Sequence, residues 1–149
     1  MPSLFSGGCA CGAVRYECVA EPMFTWKCHC RECQRSTGGG AAVNVVFSKA
    51  AVQFTKGAPK EHVSTGTSGN KTYRGFCVDC GCPISARADL IPEIRGISAA
   101  SLDDPSKLKL VAEIWTASAQ PWDELSLTLP HFATTPTAEE LQELRGASN

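Results

Sequence analysis

From Lys27 to Gly40 the chain reads K-C-H-C-R-E-C-Q-R-S-T-G-G-G, with three cysteines in six residues. Thiols crowded in this way can form disulfides, complete a closed structural metal cage, or hold a metal by three sulfurs and leave one coordination place for water or substrate. The other six of the nine cysteines narrow the choice. Four of them form two tight pairs, Cys9 and Cys11 in C-A-C-G, and Cys77 and Cys80 in F-C-V-D-C-G. Tetrahedral zinc takes four thiolates at about 2.3 Å, and pairs spaced by one or two residues each deliver two ligands from one turn. Gly12 and Gly81 follow the pairs, where positive φ lets the chain turn back and aim backbone N–H groups at the sulfurs. The two pairs are therefore expected to meet around a structural zinc. The spacing also suits iron, and the plainer alternative is four small apolar core residues.

For Cys28, Cys30 and Cys33 the expected arrangement is a three-sulfur zinc site with an open place, which is where chemistry happens. A closed site needs a fourth protein ligand: His29, His62, His131, Cys18 or Cys82. His29 lies between two ligands and should point away from a metal they share. Cys18 falls on the Val14 and Tyr16 face of a strand, which favours core packing. Cys82, two residues after Cys80, is the residue best placed to substitute for a neighbour. Lys27, Arg31 and Arg35 bracket the thiolates. They would offset the formal charge of −1 on a three-thiolate zinc and could bind an anionic thiol, or they are simply solvated charges. The run Gly38 to Gly40, with Gly39 at its centre, offers a ligand close approach to backbone N–H groups. Trp115, Trp122 and Phe132 read as packing residues.

Short strands must position these groups. Val14, Tyr16 and Cys18 alternate with Arg15, Glu17 and Val19, and Val43, Val45 and Phe47 alternate with Asn44, Val46 and Ser48, the period of strands. Leu108, Leu110, Ala112 and Ile114 mark one face of K-L-K-L-V-A-E-I-W, after a turn at Asp103, Asp104 and Pro105. Ser64 to Thr72 has loop composition. Thr137 and Glu140 form a capping box that opens a short C-terminal helix, with Leu141 and Leu144 on one face and Gly146 as its end. The reading is a mainly β chain. Its 149 residues fit a single domain, able to bury a core without disulfide staples.

Net charge is −1 and 19% of residues are charged, so no electrostatic field draws the chain to nucleic acid or a bilayer. The N-terminus has no signal-peptide pattern, and no apolar run approaches the roughly 18 residues a membrane helix needs. A cytoplasmic protein is expected, and nine cysteines in a reducing compartment favour metal over disulfides. C-x-C at Cys80 and Cys82 without a βαβ context is not a thioredoxin-like redox motif.

In order, G-G-C-A-C-G-A-V-R-Y, C-H-C-R-E-C-Q-R-S-T-G, F-C-V-D-C-G-C-P-I, S-L-D-D-P, and a late I-W with P-W-D-E-L resemble the glutathione-dependent formaldehyde-activating enzyme family, whose domain is shared with centromere protein V. The resemblance spans about residues 7–125, leaving an extension over about 126–149. It implies a β-tent of folded antiparallel sheets with two zinc ions, in which Cys9, Cys11, Cys77 and Cys80 match the structural site and Cys28, Cys30 and Cys33 the catalytic one. The implied activity is that of a carbon–sulfur lyase of the S-hydroxymethylglutathione synthase type, joining the thiol of glutathione to formaldehyde in detoxification. Lys27, Arg31, Arg35 and Gly39 are then candidate glutathione contacts. Three positions depart from the family pattern: Gln34 where arginine is frequent, Glu113 where histidine commonly precedes I-W, and Cys82. The competing reading is a non-catalytic zinc-stabilised module that binds glutathione or a protein. A chromatin-binding role, suggested by the centromere relative, conflicts with the neutral charge.

Overall fold

A computed structural model describes residues 2–66 and 69–147. Among them are eleven strands and two helices: β1 (Phe5–Gly8), β2 (Arg15–Cys18), β3 (Phe24–Cys28), α1 (Arg31–Thr37), β4 (Ala42–Ser48), β5 (Val52–Lys56), β6 (Lys60–Thr65), β7 (Lys71–Phe76), β8 (Pro83–Ala88), β9 (Ile94–Ser98), β10 (Leu110–Ile114), β11 (His131–Phe132) and α2 (Ala138–Ala147). The fold is mainly β, as the periodicity predicts, and among the described residues no helix is long and apolar enough to cross a membrane. The elements gather into two compact units, residues up to Pro22 with Val46–Lys107, and Met23–Val45 with the chain from Leu108 on.

In the first unit β1, β2 and β5 form a small antiparallel sheet, and β6, β7, β8 and β9 follow one another as an antiparallel meander. The alternation in β2 is real: Val14, Tyr16 and Cys18 are buried, while Arg15 and Glu17 lie partly in solvent. Cys18 is thus a core thiol, and burial pushes it up to about 12. Tyr16 shares a hydrogen bond with the Ser101 hydroxyl at 2.7 Å, the partner a buried phenol requires. The loop predicted over Ser64 to Thr72 is shorter, because β6 runs to Thr65 and β7 starts at Lys71; its tip at Thr67 and Ser68 lies outside the described residues.

Arg15 holds Asp103 through two hydrogen bonds, of 2.9 and 2.5 Å, and the Ser6 hydroxyl donates to the same carboxylate at 2.7 Å. Arg15 first, then Ser6, draws the Asp103 carboxyl down from 3.8 to about 2. A depressed carboxylate stabilises the fold above its unfolded pKa and loses that contribution as pH falls through the folded value. Asp103 is 48% exposed, so solvent screening keeps the effect near 0.5 kcal/mol. Urea melts of Asp103→Asn should show this deficit above about pH 4 and a closing gap toward about pH 2.

In the second unit the strand order is β4, β3, β10, β11. β10 lies parallel to both neighbours, pairing Glu113 with Lys27 and His131, and Ile114 with Cys28 and Phe132. The sequence placed only one face of this strand inside, yet Val111, Ala112, Glu113 and Ile114 are all buried, so both faces are covered. Parallel strands covered on both faces lose the polar–apolar alternation. In α2 the Thr137 hydroxyl accepts from the Glu140 N–H at 3.2 Å and donates to its carboxylate at 3.0 Å, which anchors the first turn. Leu144 is buried. Gly146 does not end the helix, which continues to Ala147.

Candidate functional site

The four-thiol group lies in the first unit. Cys9 and Cys11 occupy the turn after β1, and Cys77 and Cys80 the turn after β7. Gly12 at φ 80° and Gly81 at φ 76° supply the left-handed residues that close both turns. The Sγ atoms of Cys9, Cys11, Cys77 and Cys80 lie within 4.8 Å of one another. Cys9 to Cys11 is 3.6 Å and Cys11 to Cys77 is 3.7 Å. A tetrahedron with bonds of about 2.3 Å has edges of about 3.8 Å, so these residues fit a four-sulfur metal site; the distances are far beyond a disulfide bond of about 2 Å. The Val14 N–H points at Cys9 Sγ at 3.2 Å, as the returning turn requires. That backbone N–H, outweighing burial and helped by the neighbouring thiols, brings Cys9 down to about 6. Cys11 goes the other way: the Ala13 N–H favours its thiolate, but sharing with Cys9 and burial push it up to about 12. Packed thiols oppose one another's ionisation unless a cation neutralises them. Cys82 stands beside the cage without joining it; its backbone carbonyl accepts from the Cys77 N–H at 3.0 Å and its thiol turns to the Pro83 carbonyl at 3.6 Å.

The three-thiol group lies in the second unit. Cys28 ends β3, Cys30 is the N-cap of α1, and Cys33 sits in its first turn. Their sulfurs also lie within 4.8 Å of one another, and no fourth His, Cys, Asp or Glu among the described residues of this unit joins the group. Cys30 Sγ accepts from the Cys33 N–H at 3.3 Å, taking the place an N-cap hydroxyl usually fills. Gly38, at φ 77°, closes α1, and its N–H donates to the Gln34 carbonyl at 2.8 Å. The sequence reading missed this helix: seven residues show too little periodicity, and cysteine is an uncommon cap. Cys28 and Cys33 are buried with Ala42 and Ile114, and Trp26, Cys30, Trp115 and Phe132 pack around them. Sharing with Cys30 and Cys33, together with burial, pushes the Cys28 thiol far up. Of the residues read as mere packing, Trp115 holds φ 57°, the one positive φ outside glycine among the described residues; its indole N–H donates to Thr135 at 3.2 Å. A bulky residue in this region costs about 1–3 kcal/mol, and its packing against the thiol cluster helps to offset that cost. Trp122 is 69% exposed.

Beside the thiols lies a buried polar network that the sequence did not announce. His29, fully buried, points away from the three sulfurs, as its position between two of them predicts. Its Nε2 donates to Glu113 Oε1 at 2.7 Å, and Nδ1 faces Asp123 Oδ2 at 3.5 Å. His29 Nδ1 and Asp123 Oδ2 are buried without a hydrogen-bond partner. Gly40 makes room for Asp123, since a Cβ there would fall 2.5 Å from Oδ2. Burial pushes Glu113 up, but the hydrogen bonds from His29 and the Ser126 N–H and the charges of His29 and Lys27 prevail and hold it below its ordinary value. Gln34, also buried, donates to the carbonyls of His29 and Ser118 at 2.7 and 3.0 Å.

The candidate ligand-contacting residues divide. Lys27 is engaged by Asp123 at 3.4 Å and Glu113 at 3.9 Å. Arg31 hydrogen bonds to Gln34 Oε1. Arg31, Arg35 and Gly39 are exposed, and a Cβ on Gly39 would meet only ordinary contacts. Of the candidate fourth ligands, His131 donates to the Ser126 carbonyl at 2.6 Å, while His62, Cys18 and Cys82 belong to the first unit.

The model of the family described as glutathione-dependent formaldehyde-activating enzyme matches residues 4–118, more than half of the chain. A crystal structure of a Rhodobacter sphaeroides protein is similar in fold, with a TM-score of 0.52 at 21% identity, covering 85% of this chain and 98% of its own.

Proposed function

The chain belongs to the glutathione-dependent formaldehyde-activating enzyme family, and from that premise we propose that it is a zinc-dependent carbon–sulfur lyase or synthase. Its substrate on this reading is a glutathione adduct of formaldehyde or of another small electrophile. The observation that carries the reading is the convergence of Cys28, Cys30 and Cys33 with no fourth protein ligand atom in the group among the described residues of their unit. Cys9, Cys11, Cys77 and Cys80 would hold a second, structural zinc. A zinc held by three thiolates supplies acidification of a thiol that takes its fourth place, giving a nucleophile at neutral pH.

The protein's own residues then have separate tasks. Buried Ala42 and Ile114, with the partly buried Trp115 and Phe132 packed against them, exclude water from one side of the thiols. The cations Arg31 and Arg35, exposed on α1, and the open backbone at Gly39 are the proposed contacts for the carboxylates and peptide groups of glutathione. Lys27, held by two carboxylates, contributes charge near the thiols and completes the proposed set. In the synthetic direction the glutathione sulfur bonds to the aldehyde carbon, the carbonyl π bond opens, and the thiol proton ends on the new hydroxyl. The lyase direction reverses each change. We place this activity in the cytoplasm, in a single domain over residues 1–149, with small molecules rather than nucleic acid as partners.

Exchange NMR with ¹³C-formaldehyde and glutathione tests the proposal. Exchange between free formaldehyde and the adduct should accelerate above the spontaneous rate in proportion to protein. Glutathione binding without acceleration would favour the binding-module reading instead.

A further inference from the structure

We propose that Glu113 is a positioning residue for the three-thiol centre: through His29, its buried carboxylate holds the Cys28–Cys30 span in the shape that brings the three sulfurs together. The inference rests on reading that centre as a metal site.

A glutamate in a buried strand, one residue from its end, needs a reason. Val111, Ala112 and Ile114 around it are at most 5% exposed, and Glu113 itself is 1% exposed. An ionised carboxylate without partners costs several kcal/mol in such a place, so the contacts it makes indicate what it is there to hold. Oε1 accepts from His29 at 2.7 Å and lies 3.9 Å from Lys27 Nζ, while Oε2 accepts from the Ser126 N–H at 2.5 Å and lies 3.5 Å from His131 Nε2. His29 is fixed on its backbone as well: its N–H donates to the Ile114 carbonyl at 2.9 Å and its carbonyl accepts from Gln34 at 2.7 Å.

Three of these contacts, from Glu113, Ile114 and Gln34, meet at His29, the residue between Cys28 and Cys30 in the link from β3 to α1. Cys28 is the last residue of the strand and Cys30 the cap of the helix, so the backbone at His29 sets the angle between the two sulfur-bearing side chains. Remove the carboxylate, and a fully buried imidazole loses its short hydrogen bond, keeping at its other nitrogen only the 3.5 Å approach of Asp123 Oδ2, which is not a hydrogen bond. The ring must then rotate or draw in water, and the span it anchors loosens. Direct outer partners of metal ligands typically change metal affinity about 10- to 100-fold, and loosening the residue between two ligands is expected to act on the same scale.

The test is cobalt(II) titration of the full chain, reading the thiolate-to-cobalt absorption of the second site, with zinc affinity from competition. Wild type should take up two metals. Glu113→Ala should fill the four-sulfur site normally and bind the second metal about 10- to 100-fold more weakly, with an altered spectrum. Glu113→Gln keeps an oxygen toward His29 but turns an amide N–H₂ on the Ser126 N–H, so a smaller loss of about 3- to 10-fold is expected. In Glu113→Ala combined with His29→Phe the loss should not exceed that of the larger single change, because both act through one contact. Wild-type affinity and spectrum in either Glu113 variant, or additive losses in the double variant, overturn the inference; should Glu113→Ala not fold, Glu113→Gln decides. Uptake of a single metal by wild type overturns the reading of the centre and this inference with it, whereas two metals with unaffected variants overturns the inference alone.

Discussion

Cys30→Ser protein should fold, keep its four-sulfur metal and lose the acceleration of formaldehyde exchange, by at least about 100-fold, the upper end of what the loss of an outer partner costs. The substitution separates two jobs of one sulfur. As N-cap of α1, Cys30 accepts the Cys33 N–H at 3.3 Å, and serine is among the best residues for that task. As one of three convergent thiols it supplies a soft ligand, and a serine hydroxyl at neutral pH does not replace it. Cys30→Ala removes both, so it should add a helix-capping penalty of about 1 kcal/mol to the same loss of activity. Circular dichroism with metal analysis distinguishes these outcomes from unfolding. An active Cys30→Ser enzyme would remove the three-thiol centre from the chemistry.

The second large effect falls on stability. Replacing Cys77 with serine, or stripping the metal with a strong chelator, should cost on the order of 10 kcal/mol, the scale of metal binding by small zinc domains. That approaches the entire 5–15 kcal/mol by which a domain is stable. Cys77 is 1% exposed and closes the turn through which β7 leads to β8. Without a cation, four thiols within 4.8 Å cannot all ionise, and the buried pair Cys9 and Cys77 is left with no positive charge to neutralise it. Thermal melts should show a collapse of the cooperative transition, reversed by zinc. A stable, cooperatively melting Cys77→Ser protein would show that the cage is dispensable.

Much of this architecture can be read from residue order. Paired cysteines with a following glycine encode a turn and two ligands at once, since the spacing limits how far the sulfurs can separate and glycine alone takes φ near 80° without strain. The alternation ending at Cys18 and the Thr137 capping box are equally local. What was hidden depends on tertiary neighbours. α1 is too short to show a period and is capped by a cysteine. β10 carries a charge beside its last residue, where a histidine from the β3–α1 junction meets it, and sequence distance gives no sign that residues 29 and 113 touch. Gly146 resembles a helix stop, yet α2 runs past it to Ala147.

The same contrast separates the two cysteine groups. The four-sulfur group follows from spacing, whereas the three-sulfur group is set apart by having no fourth ligand atom among the described residues of its unit. His29 is the nearest candidate in sequence for a fourth ligand, and Glu113 turns it away at 2.7 Å. Cys82, the other strong candidate to alter a cage, has its thiol on the Pro83 carbonyl.

X-ray absorption at the zinc edge, recorded with and without glutathione, tests this most directly. Two zinc ions per chain are expected, one with four sulfurs and unaffected by glutathione, the other with three sulfurs and one light atom that is replaced by a fourth sulfur when the tripeptide is added. Two fully protein-ligated zinc ions whose spectra ignore glutathione would contradict the account.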